Sequence, residues 1–291
     1  MGSYVFFTFD DEDALSNVKW VYLAIAIFVF ILAIVFFMST IPEITDADMA
    51  HQANETNANA DDKPFWKQYR LFHATFAQFC YTGAQIAIAS FFINYVKDTK
   101  GTSDDVGAQF LAGAQGAFAV GRFFGVFLMK YFRPRKVFLV FLTACVVFVA
   151  PSITQRGNAG MSMLYVTLFF ESICFPTIVA LGMRGLGRHT KRGSGFIVGG
   201  VIGGAVVSPL TGVAADSFKN TATAMVVPLV FFVAALSYAV AVNFVPAYRN
   251  PADAFSTTEI GLQSEVIDEE VAKVGLPADE KIINDMDGEK R

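Results

Sequence analysis

Residues 20–40 read WVYLAIAIFVFILAIVFFMST, a stretch of 21 residues without one formal charge. A helix needs about 20 predominantly apolar residues to cross the hydrocarbon core of a bilayer. Six further stretches meet that requirement: Leu71–Val96, Val106–Met129, Val137–Thr154, Met161–Met183, Ser194–Ala215 and Ala224–Val245. The expected fold is therefore an all-α integral membrane protein with about seven transmembrane helices.

Composition agrees. Only 16% of the 291 residues are charged and 54% are apolar. A soluble chain carries about 25% charged residues. The charges are also unevenly spread. From Asn250 to Arg291 the balance is −7, which leaves +3 for the rest, because the whole is −4. Asp10, Asp11, Glu12 and Asp13 precede the first apolar run, and the first basic residue is Lys19. A cleaved secretory signal needs a positive flank there, so the first run reads as a true span.

Lys and Arg in the short loops set the expected orientation. Lys130, Arg133, Arg135 and Lys136 follow the third span, and Arg184, Arg188, Lys191 and Arg192 follow the fifth. Lys63, Lys67 and Arg70 precede the second span and fall on the same side. The opposite side holds Lys19, Lys97, Lys100, Arg156 and Lys219. The heavier side is expected in the cytoplasm, with the N-terminus outside and the C-terminus inside. The sequon Asn54-Glu55-Thr56 then lies in a cytoplasmic linker and is expected to carry no glycan. The expected order is an extracellular segment over 1–19, a span over 20–40, and a flexible cytoplasmic linker over 41–66. A six-helix unit follows over 67–248, then an acidic, disordered cytoplasmic tail over 249–291. Within that tail Glu265–Val274 has the pattern of a short surface helix.

Polar groups inside a membrane face other helices or a water-filled path. Gln78, Tyr81 and Gln85 recur at i, i+3 and i+7 and share one helical face. Neutral amides and a phenol pair well with sugar hydroxyls, and they also serve as bonds between helices. Asn94 falls on the opposite face and joins the others only if the helix breaks near Gly83. Arg122 and Glu171 are the only formal charges within the seven spans. Glu171 sits ten residues into its span, at mid-depth. There it reads either as a proton-loading group or as the fixed partner of a cation or hydroxyl. Arg122 reads as a snorkelling residue or the anchor of a gate. Pro176, Pro209 and Pro228 lie inside spans and permit kinks. Gly199, Gly200, Gly203, Gly204 and Gly212 permit close helix packing.

No enzyme is expected. The sequence has no P-loop and no HExxH, and His51, His73 and His189 lie far apart. Cys80, Cys145 and Cys174 sit inside apolar runs as packing residues. No metal site and no cofactor are expected. A retinal protein is disfavoured because Ala224–Val245 has no Lys for a Schiff base.

Several stretches resemble a known family. Ala77-Gln78-Phe79-Cys80-Tyr81-Thr82-Gly83-Ala84-Gln85 is similar to the seventh helix of the fucose–proton symporter branch of the major facilitator superfamily. Gly121-Arg122-Phe123-Phe124-Gly125 and Met129-Lys130-Tyr131-Phe132-Arg133-Pro134-Arg135-Lys136-Val137 resemble its eighth helix and the loop after it. Phe175-Pro176-Thr177-Ile178, Leu186-Gly187-Arg188-His189-Thr190-Lys191-Arg192-Gly193-Ser194 and Gly203-Gly204-Ala205-Val206-Val207-Ser208-Pro209 resemble its tenth and eleventh helices. The wording is nearest to fungal hexose or L-fucose permeases.

The resemblance implies twelve helices in two six-helix halves, with sugar bound between them and proton symport by alternating access. It implies that this chain holds helix six and the C-terminal half, a truncation in which an N-terminal half is missing. The expected partners are a monosaccharide, a proton as the coupling ion, the lipid bilayer and that missing half, with no nucleic acid. Gln78, Tyr81, Gln85 and Asn94 are the candidate sugar contacts. Glu171 is the candidate for proton coupling, and Arg122, Pro176 and Pro209 are candidates for gating or structure. The expected location is the plasma membrane. The rival expectation is a non-transporting membrane sensor or regulator derived from a transporter.

Overall fold

The structure is a computed structural model and describes residues 11–38, 64–186 and 189–254. The expected linker over 41–66 lies mostly outside these residues, and the expected surface helix Glu265–Val274 lies wholly outside them. The helices are α1 Asp11–Met38, α2 Tyr69–Lys100, α3 Asp104–Tyr131, α4 Pro134–Ser152, α5 Gly157–Glu171 and α6 Cys174–Met183. They continue as α7 Thr190–Gly199, α8 Gly203–Phe218, α9 Thr221–Ala224, α10 Val226–Phe244 and α11 Pro246–Ala254. Two short 3-10 turns, Phe65–Lys67 and Gly200–Ile202, complete the order.

Six segments among the described residues are long and apolar enough to cross a membrane: Tyr69–Lys100, Asp104–Tyr131, Pro134–Ser152, Gly157–Met183, Thr190–Phe218 and Thr221–Phe244. Each contains nearly all of one span read from sequence and most extend it by a few residues, because polar flanks continue the helices past the apolar window. In α1 the apolar stretch is Leu23–Val35, and every one of those side chains is exposed. The other described residues do not bury α1, so its apolar surface needs lipid or further protein to cover it.

The long helix α2 is the centre of the six-helix bundle and packs against α3, α5, α6, α7, α8 and α10. Its interior face carries Leu71, Ala77, Tyr81, Ala84, Ile88 and Tyr95, all with no exposed surface. The core continues through Phe138, Phe141, Leu142, Leu164 and Phe232. Gly83 does not break α2. Instead α8 comes so close that a Cβ on Gly83 would overlap Val207. Gly203 answers from the other side, where a Cβ would overlap the Phe79 carbonyl. Small residues on both helices allow this approach.

The helix ends are tied by polar bonds. Tyr95 Oη donates to the Ser152 carbonyl at 2.8 Å and the Gln155 carbonyl at 3.2 Å, holding α2 to the α4–α5 turn. Asp98 accepts from Thr221 N at 3.1 Å and Thr221 Oγ1 at 2.5 Å, so the far end of α2 holds the start of α9. At the near end, α11 folds back. Tyr248 Oη lies 3.1 Å from His73 Nδ1, and Arg70 Nη1 donates to the Ala247 carbonyl at 3.2 Å. Arg184 donates to the Ala252 carbonyl. A cation at that C-terminal turn also suits the helix dipole. Residues 249–252, expected to begin a disordered tail, therefore belong to a docked helix.

Candidate functional site

The stretch Met161–Met183, expected as one span, is broken in the middle. Helix α5 stops at Glu171, Ser172 and Ile173 turn, and α6 starts at Cys174. Pro176 explains the position. It has no N–H, and its ring crowds the carbonyl four residues back, which is Ser172. The two carbonyls at the break find side-chain donors on other helices. Tyr81 Oη on α2 donates to the Glu171 carbonyl at 2.5 Å. Arg122 Nε on α3 donates to the Ser172 carbonyl at 3.3 Å. The chain returns to the helical ladder where Thr177 N reaches the Ile173 carbonyl at 3.2 Å.

The helix α3 lies directly against this break. A Cβ on Gly121 would overlap the Phe169 carbonyl, and one on Gly125 would overlap the Ile173 side chain. Both glycines are therefore required by the approach of α3 to the turn. Arg122 stands between them in sequence, with an exposed side chain whose guanidinium lies 5.0 Å from the Phe118 ring.

The Glu171 side chain is only 1% exposed, and its Oε2 has no hydrogen-bond partner. It makes no ion pair with Arg122, which bonds the backbone of the next residue instead. Cys145 on α4 and Cys174 on α6 are both buried here, and each thiol donates weakly to a carbonyl of α5, Thr167 at 3.9 Å and Phe170 at 3.6 Å. A buried carboxyl, a phenol, two thiols and a guanidinium thus meet at one helix break.

The other sequence-predicted residues separate. Gln78 and Tyr81 are buried inside the bundle, Gln85 is half-buried, and Asn94 is exposed. Because α2 runs unbroken, Asn94 stays off the face that Gln78, Tyr81 and Gln85 share. Gln78 Nε2 donates to Thr82 Oγ1 at 3.3 Å, and its Oε1 has no partner. Pro209 sits within α8 without interrupting it, whereas Pro228 follows the short break between α9 and α10. Gly200, Gly203 and Gly204 pack against α2, while Gly199 faces open space.

An open groove of about 670 Å³ runs between α2 and α7. Phe72, Phe76, Phe79 and Phe196 form its walls, and Gly195 and Gly199 lie along it. Its lining offers ring faces and little hydrogen bonding. Among the described residues no three His, Cys, Asp or Glu side chains gather closely enough to hold a metal ion.

Sequence reasoning missed two features. Ser172 was silent because only its backbone carbonyl acts, although its position four residues before Pro176 was a readable signal. His73 bridges Tyr248 Oη and Ser237 Oγ, at 3.1 and 3.0 Å. Residues more than 160 positions apart in the chain leave no local pattern of such a bridge.

No family model matches the chain. The chain is 32% identical over 217 residues to the L-fucose-proton symporter of Escherichia coli (strain K12), covering 74% of itself and 49% of that protein. It is 30% identical over 202 residues to the glucose/galactose transporter of Brucella abortus biovar 1 (strain 9-941), covering 69% of itself and 48% of that protein. The chain thus spans about half the length of the curated relatives it matches. Among solved structures it is similar to the crystal structure of a major facilitator superfamily transporter, FucP, in the outward conformation. The TM-score is 0.62 at 29% identity, over 80% of this chain and 58% of that one. In sequence and in helical fold alike, the chain is similar to the fucose–proton symporter branch of the major facilitator superfamily.

Proposed function

We propose that this chain is the sugar-handling half of a proton-coupled monosaccharide transporter that works by alternating access. The similarity to the E. coli L-fucose-proton symporter over three quarters of the chain carries this reading. In it the six-helix bundle is the C-terminal half of the pathway. The facing half lies on further residues of the same protein or on a partner chain. Sugar then binds where Gln85 is accessible on α2, while buried Gln78 and Tyr81 set the shape of the bundle behind it and Asn94, on the opposite face, stands outside the site. Arg122, Pro176 and Pro209 belong to the moving or gating parts.

The bilayer is the plasma membrane in this reading, with the basic loops in the cytoplasm. The unmatched amide oxygen of Gln78 supports a role for polar groups inside the bundle, because a buried acceptor without a partner costs about 1–3 kcal/mol that packing alone gives no reason to keep. The test is uptake of labelled L-fucose, D-glucose and D-galactose by transport-deficient cells expressing the protein that carries this chain. Accumulation of one of them that a protonophore abolishes is the expected result. No accumulation of any, or accumulation untouched by the protonophore, contradicts the proposal.

A further inference from the structure

We infer that α11 is a strap that holds the far end of α6 to α2 and α10, so that α6 swings on the proline break only when α11 lets go. The inference adds regulation to the pathway proposed above and rests on that reading for its use, whereas the tether itself does not. Helix α6 leaves the Ser172–Ile173 turn at one end and stops at Met183 at the other. A proline break is where a span bends. What holds the Met183 end therefore decides whether α6 moves.

At that end α6 meets α2 through two small residues, Gly182 and Ala74. Small side chains bury little area, so polar ties count for more there. They come from α11. One residue, Val245, separates α10 from α11, and the Val245 carbonyl accepts from Tyr248 N at 3.0 Å and Arg249 N at 2.9 Å. The chain thus turns back without slack. On the α6 side, Arg184 donates to the Ala252 carbonyl. Gly185, at φ 75°, lies against Pro251 in a conformation that suits glycine. On the α2 side, Arg70 donates to the Ala247 carbonyl, and the Tyr69 and Tyr248 rings meet edge-on at 5.7 Å.

The middle of the strap is a chain of hydrogen bonds with a defined direction. Ser237 Oγ donates its one proton to the Ala234 carbonyl at 2.6 Å. Toward His73 it therefore accepts, which puts the ring proton of the neutral imidazole on Nε2. The Nδ1 lone pair is left for Tyr248, whose hydroxyl donates to it. Tyr248 thus ties α11 to α2 and, through the imidazole, to α10. Ala247, Tyr248 and Ala252 bring α2, α10 and the turn after α6 together within about two turns of helix.

Thiol labelling of the full chain reconstituted in lipid tests the strap. Leu181→Cys places a reporter at the far end of α6, where the side chain is 5% exposed. The native Cys80, Cys145 and Cys174 are buried and serve as references on α2, on α4 and at the break. With α11 docked, a membrane-permeant maleimide should modify the Leu181→Cys thiol slowly. Adding Arg184→Ala or Tyr248→Phe should speed modification there by about two- to tenfold, the opening that one lost hydrogen bond allows, with Cys80 and Cys145 unchanged. An unchanged rate at the reporter overturns the strap. Equal acceleration at all four thiols also overturns it, because α11 would then support the whole bundle rather than α6. The readout needs no sugar flux. Its failure leaves the transport proposal standing, and a failure of sugar uptake leaves the labelling result standing.

Discussion

Tyr81 ties α2 to the break between α5 and α6. It has no exposed surface, and its hydroxyl closes a carbonyl that the proline break leaves open. Tyr81→Phe keeps the ring and removes that donor. The orphaned carbonyl should cost about 1–3 kcal/mol, seen as a lower melting temperature in detergent. Pro176→Ala should act in the opposite direction. It restores an N–H for the Ser172 carbonyl, and the expected result is a higher melting temperature with a straighter segment over Gly157–Met183. The sequence made the proline visible and put Tyr81, Gln78 and Gln85 on one face. It could not show which donor reaches which carbonyl, because that depends on α2 and α3 meeting the break from different directions.

Helix contacts decide the next scale. Where α2 and α8 cross, backbone meets backbone, and a Cβ on Gly203 would overlap the Phe79 carbonyl. Gly203→Ala should destabilise by about 1–3 kcal/mol, since a backbone neighbour cannot rotate aside. Gly199→Ala, with open space around it, should be neutral in the same melting assay. The sequence presented both glycines alike, because a glycine-rich helix does not declare which of its faces is against a neighbour. The docked helix α11 was hidden for a related reason. Pro246 starts the helix, where its missing N–H costs nothing. Tyr248→Ala removes the contact with His73 and should raise hydrogen exchange across residues 246–254 while sparing α2.

For the molecule as a whole, span positions were legible because bilayer thickness fixes the length of an apolar run. The order of polar and small residues along those runs was enough to indicate the family. The sugar-contact set was less legible. Asn94 joins the others only through a break at Gly83, and the structure spends Gly83 on packing against α8 instead. Coupling between sugar and proton shows itself most plainly as proton movement. Proteoliposomes holding the protein that carries this chain should take up protons when L-fucose, D-glucose or D-galactose is added outside, with no imposed gradient. Sugar-dependent internal acidification that disappears with a protonophore is the expected result, and sugar entry without any proton movement would contradict it.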